Sequence, residues 1–151
     1  MPAYLIVANQ TLASPTLAAA VADRVARGDA SFHVVVPATP VTHRLTWDEV
    51  ESNAAAEERL AAVLTRLRDL GAEATGEVGA SDPVAAACDA VRSRRIDEVL
   101  LSTLPPGISR WIGLDVPSRL RGSVSMPVTV ITAQERAAAA GPEASGPRDD
   151  A

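Results

Sequence analysis

The chain of 151 residues contains no lysine, so all 14 of its basic residues are arginines. That absence excludes chemistry that depends on a lysine side chain, such as a Walker-A phosphate loop or a Schiff-base enzyme. The one cysteine has no partner for an internal disulfide. The aromatic side chains, two Trp, one Tyr and one Phe, are too few for a surface that stacks the bases of single-stranded nucleic acid.

Charge and hydropathy narrow the class of protein further. The net charge is −5, whereas binding to nucleic acid or to an anionic membrane requires a basic face. No apolar run approaches the roughly 20 residues that a membrane-spanning helix needs. The first residues, Met-Pro-Ala-Tyr, lack the basic start of a secretory signal. We therefore expect a cytoplasmic protein that binds neither nucleic acid nor membrane.

Apolar runs and helix signals alternate along the chain, which predicts an α/β fold with a parallel sheet. Two short strands, 5–8 and 32–36, flank a helix that begins at Ser14-Pro15 and ends near Gly28. After a loop at 38–46, the sequence predicts a long helix from a capping box at Thr46 to Gly71, whose apolar face carries Val50, Leu60, Val63, Leu64, Leu67 and Leu70. A strand at 72–78 follows, and then a helix that begins at Ser81-Asp82-Pro83 and has an apolar stripe of Val84, Cys88 and Val91. The last predicted elements are a strand at 96–101, a helical segment before 124 and a strand at 127–132.

The character of each strand predicts its place in a doubly wound, five-stranded sheet. The first and fourth strands are the most apolar and belong in the centre, whereas the third alternates small or apolar residues with polar ones and belongs at an edge. This favours the strand order 3-2-1-4-5. Residues 1–132 then form one domain, and residues 133–151, which are rich in Ala, Gly, Pro and acid, are expected to be a disordered tail.

A sheet of this order binds ligands beyond the carboxyl ends of its strands, where strands 1 and 4 diverge. Residues 105–123 carry three Arg and one Asp, a local basic excess that favours a small anionic ligand. Arg110 either clamps such an anion or pairs with Asp115 in a loop stiffened by proline. No paired carboxylates, metal-ligand cluster or nucleophile elbow is evident. The candidate binding residues are Asn9, Gln10, Thr11, Pro37, Thr39, His43, Ser102, Thr103, Gly107, Ser109 and Arg110.

The order of elements, the run His33-Val34-Val35-Val36-Pro37 and a loop of small residues after strand 4 resemble the universal stress protein family over residues 3–132. The resemblance implies the five-stranded fold and, for many members, binding of ATP or another adenine nucleotide. It also implies a homodimer through the fifth strand, where Val128, Val130 and Thr132 lie without a charge to guard the edge.

The loop after strand 4 departs from the family pattern Gly-x2-Gly-x9-Gly-Ser/Thr. Ser102-Thr103 and Leu114-Asp115 stand where the family has Gly-Ser and Gly-Ser/Thr, and only Gly107 is kept. Asp115 would repel a phosphate, and Pro105-Pro106 removes two N–H donors. Asn9 or Gln10 stands where the family has an acid that meets the ribose, although an amide can still bond a hydroxyl. An adenine nucleotide is therefore possible but disfavoured.

Three functional hypotheses follow. The leading one is a non-catalytic binding or stress-response module with a degenerate nucleotide-type cleft. The second is an enzyme with slow nucleotide hydrolysis or transfer, in which His43 or Ser109 takes part. The third is a homodimer that docks a partner without any ligand. His33 and Cys88 are expected to be buried structural residues.

Overall fold

The structure is a computed structural model that describes residues 1–9, 11–38, 47–105 and 115–133, without the side chains of 47–53. Strands and helices alternate along this part of the chain. In chain order the elements are β1 (Ala3–Val7), α1 (Pro15–Ala26), β2 (Ser31–Pro37), α2 (Trp47–Asp69), β3 (Glu73–Gly79), α3 (Pro83–Ser93), β4 (Glu98–Thr103), α4 (Val116–Ser123) and β5 (Val128–Thr132).

The five strands form one parallel sheet in the order β3-β2-β1-β4-β5, as the apolar pattern predicts. β1 lies between β2 and β4, with Ile6 opposite both Val34 and Leu100. Every residue of β1 is buried, which explains its continuous apolar sequence. β3 lies at one edge, and from Glu73 to Glu77 its exposed positions alternate with buried or half-buried ones. β5 forms the other edge.

The two faces of the sheet carry separate apolar cores, because successive side chains of a strand point to opposite faces. Tyr4 and Ile6 of β1 pack with α1 and α2. Leu5 and Val7 of the same strand pack with α3 and α4. Helices therefore cover both faces, as a doubly wound fold requires.

The residues at the two ends of α1 explain where this helix begins and ends. The hydroxyl oxygen of Ser14 accepts a hydrogen bond from the N–H of Thr16 at 3.1 Å and caps α1. Gly28 follows α1 with a φ of 137°, a backbone conformation that side chains rarely permit. The predicted start and stop of this helix are thus confirmed.

Two predicted apolar stripes are corrected in detail. Leu70 lies beyond the end of α2 and is 46% exposed, because the helix stops before it can complete the stripe. In α3, Cys88 is only half-buried, and Ala87 and Ala90 form the buried centre. Alanines allow the helix to approach the sheet closely, so the smallest residues take the innermost positions.

None of the helices in the described ranges is both long and apolar enough to cross a membrane.

Candidate functional site

The carboxyl ends of β1 and β4 lie side by side at the centre of the sheet. The chain leaves β1 toward α1 on one face, and α4, which follows β4, lies on the other face. Such a divergence creates the crevice in which doubly wound sheets hold ligands. The described side chains beyond these strand ends come from the segments after β1 and β2, from β4 and from α2.

Thr11 and Ser102 join the segments after β1 and at the end of β4. Their hydroxyl oxygens are 2.6 Å apart, and Thr11 Oγ1 also donates to the carbonyl oxygen of Ser102 at 3.3 Å. Both residues are at least 96% buried. Because Thr11 donates to the carbonyl, the hydroxyl of Ser102 is left to donate to Thr11. These two predicted site residues therefore hold the floor of the crevice together.

Thr103 contributes a polar atom without a partner. The residue is 1% exposed, and within the described ranges its Oγ1 makes no hydrogen bond. Its carbonyl oxygen accepts from the N–H of Ala133 at 2.8 Å, which extends the β4–β5 pairing by one residue. A buried hydroxyl without a partner costs free energy, so Thr103 is suited to bond a ligand at the end of β4.

Asn9, Pro37 and Arg59 form a second polar group, beyond the ends of β1 and β2. Asn9 Nδ2 donates to the carbonyl oxygen of Pro37 at 3.1 Å, and Arg59 Nη2 donates to Asn9 Oδ1 at 2.7 Å. We call these three residues the Arg59 group. Asn9 and Pro37 were predicted as site residues, and the structure brings them into contact.

Arg59 was not predicted from the sequence, although a signal for it exists. It lies three residues after Ala56 and four before Val63, and both of these are buried core residues of α2. An arginine at that spacing is on the inner side of the helix. Its charge therefore needs a polar partner at the sheet, and Asn9 is that partner.

Asp115 places a carboxylate at the start of α4. It is the N-cap residue of this helix, has a φ of 59° and is exposed. Within the described ranges its side chain makes no capping hydrogen bond. Arg119, one turn further along α4, donates to the carboxylate of Asp82 at 3.2 Å and links α4 to the start of α3.

Several predicted residues lie outside the described ranges. The expected pairing of Arg110 with Asp115 and the capping box at Thr46 belong to this group. So do six of the candidate binding residues, namely Gln10, Thr39, His43, Gly107, Ser109 and Arg110.

His33 is a buried strand residue, as expected, and lies away from the crevice. Its Nδ1 is 2.7 Å from the hydroxyl of Thr75, and its Nε2 is 3.1 Å from the carboxylate of Glu77. Burial lowers the pKa of His33, against the opposing influence of the Glu77 hydrogen bond. A shallow cavity near His33 and Arg94 opens at the amino ends of β1 to β3, away from the strand ends where ligands bind.

No group of three or more His, Cys, Asp or Glu side chains in the described ranges is arranged to hold a metal ion.

Solved structures of universal stress proteins share this fold. The universal stress protein from Archaeoglobus fulgidus in complex with dAMP aligns with a TM-score of 0.58 and 19% identity, over 87% of this chain and 97% of that one. A universal stress protein family member from Arabidopsis thaliana with AMP bound aligns with a TM-score of 0.55 and 11% identity, over 89% and 93%. A universal stress protein in complex with cAMP aligns with a TM-score of 0.57 and 18% identity, over 88% and 98%.

No protein-family model matches the sequence, and no curated protein matches it. The structural likeness confirms the predicted fold: the chain has the α/β fold of the universal stress proteins.

Proposed function

We propose that this chain is a non-catalytic universal stress protein-like binding module whose crevice accepts a small ligand but binds ATP weakly or not at all. The single observation that carries the proposal is the polar floor of the crevice. Thr11 and Ser102 are bonded to each other there, and the buried hydroxyl of Thr103 has no partner within the described ranges. A buried polar atom without a partner favours a ligand that can form a hydrogen bond with it.

The ligands of the structural neighbours support a nucleotide-type crevice. Three solved structures with this fold hold dAMP, AMP and cAMP respectively. Each of these ligands carries a single phosphate group. A monophosphate places less negative charge in the crevice than a triphosphate does, so it tolerates a nearby carboxylate better.

The position of Asp115 supports weak triphosphate binding. The start of a helix favours phosphate because its N–H groups are free and its dipole is positive. In this chain a carboxylate stands at that position in α4. Pro105, which lies between β4 and α4, has no N–H to donate. Like-charge repulsion of this kind costs on the order of 1–4 kcal/mol in a partly screened crevice.

The test is calorimetric titration of the purified protein with ATP and with AMP. We expect no saturable ATP binding with a Kd below roughly 100 μM. Asp115→Asn removes the charge and keeps a residue type that tolerates positive φ, so it should strengthen ATP binding by about tenfold or more. The double variant Leu114→Gly, Asp115→Ser should do the same.

Asp89→Asn is the matched control, because Asp89 is an exposed carboxylate on α3 that bonds Arg92. It should leave ATP affinity unchanged. Tight ATP binding by the wild type would overturn the proposal. ATP turnover lost in His43→Ala would replace it with the hydrolysis hypothesis.

We also propose that two copies pair through β5. This strand is an edge of the sheet, and Val128 and Val130 are half-buried against the α3–α4 face. Edge strands without charge are templates for pairing, and β-branched residues favour strand pairing.

A further inference from the structure

We propose that the Arg59 group binds an oxyanion, a phosphate or a carboxylate, so that the anionic part of the ligand lies at the β1–β2 end of the crevice. The inference deepens the proposed function and rests on it, since it assumes that the crevice holds a ligand. It assigns the selectivity of that crevice to one arginine of α2.

The Arg59 group presents more free donors than free acceptor atoms. The carboxamide oxygen of Asn9 already accepts from Arg59, and one Asn9 N–H is used by the carbonyl of Pro37. That carbonyl oxygen likewise already accepts one hydrogen bond. The unused donors are the second N–H of Asn9 and the other N–H groups of the guanidinium. A surface of donors selects a group that only accepts, and oxyanions are such groups.

One of the free donors is buried. Arg59 Nε has almost no solvent exposure, and within the described ranges it bonds to nothing. A buried N–H on a charged group is costly to leave without a partner. Nε and a terminal nitrogen of the same guanidinium form the fork that bonds both oxygens of a carboxylate or phosphate.

The charge of Arg59 is also not neutralised within the described ranges. None of the ion pairs found there involves Arg59. The positions three and four residues before and after it on α2 are Ala55, Ala56, Ala62 and Val63, so its own helix offers no carboxylate neighbour. The adjacent Glu57 and Glu58 are exposed to solvent.

The two ends of the crevice therefore differ in charge. Asp115 stands at the start of α4, beyond β4, and Arg59 stands beyond β1 and β2. An anionic group is repelled at the first end and attracted at the second. This difference orients a ligand with its acid toward Arg59.

The experiment is NMR titration of the full-length ¹⁵N-labelled protein, with inorganic phosphate in one arm and malonate in the other. Either anion should shift the Arg59 Nε–H signal saturably, with a Kd near or below about 1 mM. Comparison of the two arms decides between a phosphate and a carboxylate source.

Arg59→Gln should weaken binding of the preferred anion at least tenfold. Arg66→Gln is the matched control, because Arg66 is an exposed arginine seven residues further along α2. It should bind the anion as the wild type does. Asn9→Asp is the second variant, since an aspartate would neutralise Arg59 and should abolish anion binding without loss of the folded state. A thermal melt of each variant establishes that it is folded.

Equal anion affinity in Arg59→Gln and wild type would overturn the inference, and so would the absence of any saturable shift at Arg59. In either case, saturable binding of AMP would leave the proposed function standing. Conversely, tight ATP binding by the wild type, together with an Arg59 shift in phosphate, would reject the proposed function and retain the oxyanion site.

Discussion

At the scale of single residues, a largely buried ion pair joins α1 to β4. Arg24 bonds the carboxylate of Glu98 through Nε at 3.2 Å and Nη2 at 2.9 Å, and Thr129 of β5 donates to the same carboxylate at 2.5 Å. The side chains are 11% and 19% exposed. Burial alone would raise the pKa of Glu98, but the hydrogen bonds from Arg24 and Thr129 outweigh it and lower the pKa.

The lowered pKa predicts that this ion pair stabilises the fold only where Glu98 is ionised. Its contribution is complete above the ordinary glutamate pKa and is lost as the pH falls through the lower pKa of the folded state. Glu98→Gln leaves the buried charge of Arg24 without an opposite charge, so it should reduce the free energy of unfolding by about 3 kcal/mol at pH 7. The loss should shrink as the pH falls through the lowered pKa of Glu98, because the wild-type carboxylate then becomes protonated as well. Urea denaturation at pH 7 and in acid measures the change.

The control is Asp89→Asn, which breaks the exposed pair between Arg92 and Asp89. Exposed pairs contribute little, so the change should be under about 1 kcal/mol. A Glu98→Gln effect of the same size at both pH values would show that packing, and not charge, is responsible.

At the scale of elements, α2 packs so closely on β3 that a side chain at one position of the strand would be crowded. A Cβ added to Gly76 would lie 2.7 Å from Cδ1 of Leu60 and 3.0 Å from the carbonyl oxygen of Val34. The backbone oxygen cannot move without disturbing β2. The close packing of α2 on the sheet therefore explains why a glycine stands between Thr75 and Glu77.

Gly76→Ala should therefore lower the free energy of unfolding by about 1–3 kcal/mol, the usual cost of overpacking. Gly122→Ala is the matched control in α4, because a Cβ there has no neighbour within 4 Å. The control should be stabilising by roughly 0.5–1 kcal/mol, since alanine is the better helix former. Urea denaturation of both variants checks the pair, and equal effects would contradict the proposed close approach.

The proposed pairing of two copies through β5 is also tested at this scale, by substitutions in single strands. Val130→Pro removes a backbone donor from the edge strand, and Thr132→Lys adds a charge at an exposed position. Thr132→Lys should shift the protein to monomers, and Val130→Pro should give monomers or aggregates. Glu73→Lys, at an exposed position of the opposite edge, should remain dimeric. Analytical ultracentrifugation at tens of micromolar, an order-of-magnitude range, measures this, and a monomeric wild type would disprove the pairing.

At the scale of the whole molecule, the composition of residues 134–151 predicts that they add nothing to stability. They contain no large apolar side chain and so have nothing to offset the entropy lost on ordering. A chain that ends at Ala133 should melt within about 2 °C of the full chain. Ending it at Thr132 should cost a few degrees more, because the Ala133 N–H bonds Thr103. Differential scanning calorimetry measures both, and a drop of many degrees on removal of 134–151 would show that this segment docks.

The sequence alone was enough to predict the fold, because the signals that specify the strands and helix ends are local. Continuous apolar runs mark β1 and β4 as central strands, and the alternating pattern of β3 marks an edge. Ser14-Pro15 and Gly28 set the ends of α1 through backbone preferences that need no distant partner. Five of the candidate site residues, Asn9, Thr11, Pro37, Ser102 and Thr103, followed from the rule that parallel strands present their carboxyl ends together.

The contacts between these residues, and the polar atoms that stay free, could be identified only from the folded structure. Nothing in the spacing of Thr11 and Ser102 shows that their hydroxyls lie 2.6 Å apart, because 91 residues separate them. Arg59 contacts Asn9 although 50 residues separate them. In that contact Asn9 Oδ1 accepts a hydrogen bond from Arg59, whereas the sequence suggested that the Asn9 amide could bond a ligand hydroxyl. Local patterns report burial and backbone preference, whereas hydrogen-bond partners depend on how the helices lie across the sheet. The sequence was therefore enough to predict the fold, but not which hydrogen-bond donors stay free beyond the strand ends.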